Sequence, residues 1–96
     1  MAVPEIALTL SPDSPEAKEA IGFQHAGGDI GKRSKLGGTP DWIQQENIPA
    51  CSCGLPMSFY GQLDSIGDTV SLADCGMVYV FVCFQCFTTS SVLQSY

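Results

Sequence analysis

Basic side chains are scarce in this chain. Lys18, Lys32, Arg33 and Lys35 stand against ten acidic residues, for a formal net charge of −6. A protein that grips a phosphate backbone does so with many Lys and Arg side chains. The deficit argues against nucleic acid as a partner, and equally against an anionic membrane surface. Long apolar runs are missing too. The longest, Met77 to Phe87, is interrupted by Gln85 and falls well short of the roughly 20 residues that span a bilayer. The first ten residues, MAVPEIALTL, have no basic start and include Glu5, so they do not read as a secretory signal. These absences point to a cytoplasmic protein. There is one histidine, His25, and one tryptophan, Trp42.

What the chain does have is cysteine. Five in 96 residues is a high density for a domain of this size, whose core is thin and often needs a staple. In a reducing compartment such cysteines serve as metal ligands or free thiols more often than as disulfides.

Apolar residues are unevenly spread: the segment from Met57 onward is rich in them, while residues 11–47 are rich in Gly, Pro and charge. For residues 1–34 two readings stand side by side: a mobile N-terminal arm, or a short strand in Glu5–Leu10 and a short helix opened by Ser14 as N-cap and Pro15 as first helical residue, leading into a Gly-rich loop. The stretch GGDIGKRS resembles a phosphate-binding loop but fails the pattern. Ala26 stands where the first glycine is required, and Arg33 where Ser or Thr must follow the lysine.

Residues 35–96 read as a β domain. Met57–Leu63 alternates, with Met57, Phe59, Gly61 and Leu63 expected on the buried face and Ser58, Tyr60 and Gln62 on the polar one. Val70–Leu72 is a candidate short strand. Met77–Cys83 is the strongest strand signal, apolar enough for burial on both faces or for contact with a second copy. Thr88–Tyr96 fits a last strand returning as a hairpin. Trp42 is expected to fold over the core.

The cysteines bracket these strands. Cys51-x-Cys53 precedes the first and Cys83-x-x-Cys86 follows the second. If the two strands pair antiparallel, both cysteine pairs reach the same end of the sheet. Two chelating pairs placed so fit a tetrahedral Zn2+ with Zn–S bonds of about 2.3 Å. The fold class expected is therefore mainly β: a small antiparallel sheet with a zinc-ribbon-like site of Cys51, Cys53, Cys83 and Cys86. The spacing of Cys51 and Cys53 is one residue shorter than is common. Cys75 and His25 are the alternative ligands. A closed set of four thiolates is structural, because catalysis needs an exchangeable position.

Read together, KLGGTPDW, PACSCGLPMSFYGQLDS, GMVYVFVCFQC and VLQSY resemble the YwqG-like bacterial proteins, grouped as domain of unknown function 1963. They are more distantly similar to the programmed-cell-death-2-type proteins of eukaryotes. The resemblance covers roughly the last two-thirds of the chain, and the first third matches neither. It implies no catalytic activity. Some bacterial relatives accompany toxin-immunity loci, and the eukaryotic ones chaperone a ribosomal protein, so the role implied is protein binding. The chain is shorter than typical members, which makes a minimal unit or a homodimer the expectation.

The function expected is a zinc-stapled protein-interaction module, with an unidentified protein partner and no catalysis. The competing readings are a thiol oxidoreductase using Cys83 and Cys86, and a nucleic-acid-binding zinc ribbon, which the charge disfavours.

Overall fold

The computed structural model describes all residues, Met1–Tyr96. Five antiparallel strands form one sheet in the order β1-β2-β3-β4-β5. They are β1 (Ile6–Ala7), β2 (Lys35–Leu36), β3 (Ser58–Asp64), β4 (Met77–Val82) and β5 (Thr89–Gln94). The one helix, α1 (Pro15–Ala20), lies between β1 and β2. It begins as its sequence dictates: the Ser14 hydroxyl accepts from the Ala17 N–H at 3.1 Å, with Pro15 in the first turn. None of its residues is buried.

The sheet's centre is β3–β4–β5. In β4, Met77, Tyr79 and Phe81 alternate with Val78, Val80 and Val82; the first three are fully buried and the valines half-buried. The expectation of burial on both faces thus resolves into one closed face and one partly open face. Trp42 packs on the closed face, its ring 4.8 Å from Tyr79 and 6.1 Å from Phe81. The loop that carries it is pinned by buried polar groups. The Tyr79 hydroxyl donates to the Asp41 carbonyl. Gln94 Oε1 accepts from the Ile43 and Gln44 N–H groups. Gln62 Oε1 accepts from the Asp41 N–H, while its Nε2 donates to Asp41 Oδ2 and the Arg33 carbonyl.

Gln62 corrects the sequence reading of β3. Strict alternation puts it on the polar face with Tyr60 and puts Leu63 inside. The register against β4 shifts between Phe59 and Gly61, so Tyr60 is an extra residue in the strand. A bulge of this kind swaps the faces beyond it. Gln62 and Asp64 turn inward and Leu63 is left 53% exposed. Two other expectations also change. The first strand shrinks to Ile6–Ala7, with Ile6, Leu8 and Leu10 all exposed. Val70–Leu72 forms no strand, only an isolated bridge from Val70 to Gly67.

Candidate metal centre

Two tight turns build the site. The first is a small hairpin: Met57 N–H donates to the Pro49 carbonyl, Cys51 N–H to Leu55, and Gly54 N–H back to Cys51. Gly54 has φ +93°, a left-handed backbone that glycine adopts without strain. The second turn links β4 to β5. Cys83 N–H donates to the Thr88 carbonyl and Phe87 N–H to Cys83, with Phe87 itself left-handed at φ +57°. The antiparallel pairing sets Ser58 opposite Val82, so the start of β3 and the end of β4 meet. Both turns therefore close over one end of the sheet.

That placement gathers Cys51, Cys53, Cys83 and Cys86, whose sulfurs all lie within 4.8 Å of one another. Cys53 Sγ is 3.8 Å from Cys83 Sγ. A regular tetrahedron with metal–sulfur bonds of about 2.3 Å has sulfur–sulfur edges of about 3.8 Å, so the donor set fits such an ion. Cys51 and Cys83 are buried and belong to the hydrophobic core with Met57, Met77, Tyr79 and Phe81. Cys53 and Cys86 face outward. The other two sequence candidates lie outside the group. Cys75 sits in the turn before β4 at φ +53°, half-buried, and His25 is exposed in the Gly-rich loop.

The electrostatics are those of thiols crowded together. Cys51 is pulled down to about 6, first by a hydrogen bond from the Cys53 backbone N–H and then by the Thr88 hydroxyl. Thr88 Oγ1 is 3.2 Å from Cys51 Sγ. Cys86 is pushed up to about 12, chiefly because it shares its proton with the Cys53 and Cys51 sulfurs. Four thiolates this close repel one another without a cation between them, and the arrangement can hold a metal ion. Thr88 escapes sequence reading: a threonine two residues after a Cys-x-x-Cys carries no signal until the hairpin folds it back over Cys51. Cys83 and Cys86 lie on the turn between β4 and β5, and neither belongs to the one helix, Pro15–Ala20.

Comparison with known proteins adds one relative. The chain is 37% identical over 62 residues to the uncharacterized protein YpfL of Salmonella typhimurium; the match spans 64% of this chain and 15% of YpfL. No family model matches the chain. No solved structure matches it either.

Proposed function

We propose that this chain is a small β protein with a structural zinc site, that it works as a protein-interaction module, and that it carries out no catalysis. The observation that carries this reading is the convergence of four cysteine sulfurs at one end of the sheet, within 4.8 Å of one another. Tetrahedral all-sulfur sets suit zinc among the common divalent ions. With four protein ligands, no position is left for water or substrate. The acidic balance and the scarcity of basic residues favour protein over nucleic acid as the partner. The motif resemblance to YwqG-like proteins supports an immunity-like or chaperone-like binding role. Five unpaired thiols suit the reducing cytoplasm.

Native mass spectrometry of the reduced protein, with elemental analysis, tests the metal. One zinc per chain is expected, lost on chelation, and lost or weakened in Cys86→Ser. Reduced protein that takes up no metal would sink the reading. A reversible Cys83–Cys86 disulfide in metal-free protein as isolated would favour the oxidoreductase instead.

A further inference from the structure

We infer that the free edge of β5 is a self-complementary docking strand that pairs antiparallel with β5 of a second copy of this chain. The inference stands apart from the metal reading and rests on three observations.

The first is the edge itself. The sheet ends on one side in the two-residue β1 and on the other in the six-residue β5. Natural edge strands are normally blunted by Lys, Pro or a bulge. The β5 sequence, TSSVLQ, has neither residue, and its register with β4 runs without a shift.

The second is charge. All ten acidic and all four basic side chains lie between Glu5 and Asp74; none occurs from Cys75 to Tyr96. Two copies of a chain at −6 repel over most approaches. Neither β4 nor β5 adds a charged side chain of its own to that repulsion.

The third is backbone geometry. Cys83 donates to the Thr88 carbonyl, and the register sets Phe81 opposite Ser90, Tyr79 opposite Val92 and Met77 opposite Gln94. Antiparallel ladders alternate bonded and non-bonded pairs. Ser90, Val92 and Gln94 therefore direct their N–H and C=O groups to β4, and Thr89, Ser91 and Leu93 direct theirs outward. A two-fold axis at Ser91 sets Ser91 opposite itself and Thr89 opposite the second copy's Leu93. In that register every outward N–H meets an outward C=O. Side chains agree: Leu63, Val78 and Leu93 lie in one cross-strand row on the open face, with Leu63 and Leu93 each 53% exposed. The pairing carries this row on to the second copy's Thr89 and Val82.

A contact of one strand pair falls in the small, reversible class of interfaces, so the dimer is concentration-dependent. Sedimentation velocity of the reduced, purified chain over a wide concentration series is expected to show monomer passing to dimer. Ser91 is exposed, and Ser91→Lys places two like charges face to face. Its dimer is expected to be lost at concentrations where the unmodified chain is dimeric, and an equimolar mixture of Ser91→Lys and Ser91→Glu is expected to recover it. On the unmodified chain, amide exchange at Thr89, Ser91 and Leu93 is expected to slow as concentration rises, with Ser90 and Val92 unchanged. A monomer at every concentration, a dimer indifferent to Ser91→Lys, or exchange at the three outward amides that does not respond to concentration would each overturn the inference. Metal content measured on the same samples keeps this result separate from the fate of the zinc reading.

Discussion

Thr88 and Asp64 show how single side chains hold the two ends of this sheet. At the cysteine end, the Thr88 hydroxyl lies 3.2 Å from Cys51 Sγ, where it stabilises the thiolate. Groups that hydrogen-bond a metal ligand commonly contribute 10–100-fold to affinity. Thr88→Val keeps the shape and removes the donor. Its zinc affinity, measured by competition with a chromophoric chelator, should fall by about that factor while stoichiometry stays the same. At the opposite end of β3, Asp64 has no exposed side-chain area. It takes Arg33 Nη2 at 2.7 Å, Arg33 Nε at 2.9 Å and the N–H groups of Gly31 and Arg33. Burial alone would raise this carboxyl; the Arg33 hydrogen bonds and charge outweigh it and hold the group below the usual carboxylate range. Arg33→Met leaves a buried charge without its partner, which costs about 3–5 kcal/mol in comparable sites. Urea unfolding at neutral pH should show that loss. A carboxyl with a depressed folded pKa adds stability above its unfolded value of ~3.9, and the addition disappears as pH falls through the folded value. The gap between the unmodified chain and Arg33→Met should therefore close with acidification below about pH 4.

At the scale of elements, Gly37 and Gly38 decide how the N-terminal arm joins the sheet. They follow β2 directly, with φ of +63° and +71°. Their N–H groups donate to the Tyr60 and Val3 carbonyls at 2.8 and 2.9 Å, which ties β3 to the arm while the chain turns toward Trp42. A Cβ at Gly37 would run into the Val3 and Pro4 carbonyls. Gly37→Ala should cost more than ~1 kcal/mol and release the arm first. Hydrogen exchange should rise at the β1–β2 pairing while β4 stays protected. The same elements show which features the sequence made legible. β4 was readable from its unbroken run of β-branched and aromatic residues, and β5 from its Thr, Ser and Val content one turn further on. The α1 start was readable because Ser14-Pro15 is a local signal. The inward turn of Gln62 was not readable, because the Tyr60 bulge depends on pairing with a strand some twenty residues away in sequence. The cysteine grouping followed from the spacing of the two pairs and the direction of the strands between them. Thr88 and the Cys53 N–H, which set the thiol chemistry, depend on turn geometry that no spacing rule encodes. The rim of polar clamps from Gln62, Tyr79 and Gln94 was hidden for a similar reason: glutamine in a strand ordinarily reads as solvent-facing.

Only 14 of the 96 residues are buried, and two of the six core residues are Cys51 and Cys83. The molecule's stability and its thiol chemistry therefore cannot be separated. Structural zinc is worth about 10–16 kcal/mol in small peptides, against ~5–15 kcal/mol for a whole domain. Chelation should lower the midpoint of urea unfolding, followed by the near-ultraviolet circular dichroism of Trp42, Tyr79 and Phe81, because Cys51 and Cys83 close the end of the core that these rings share. Protons should report the same coupling. In the metal-free fold Cys51 titrates at about 6 and Cys86 at about 12. At neutral pH, Cys51 is thus already a thiolate and Cys86 still carries its proton. Metal binding needs both as thiolates, so zinc should expel the Cys86 proton and none from most Cys51 groups. Titration calorimetry in buffers of differing ionisation enthalpy should count fewer protons released than the four cysteine ligands. The count should increase as pH is lowered through 6, where Cys51 regains its proton before the ion arrives. A count of four at neutral pH would mean that the turn at Cys51 to Leu55 does not preform its thiolate. Metal binding would then build the end of the sheet that the hydrogen bonds of Cys53 and Thr88 are expected to hold in advance.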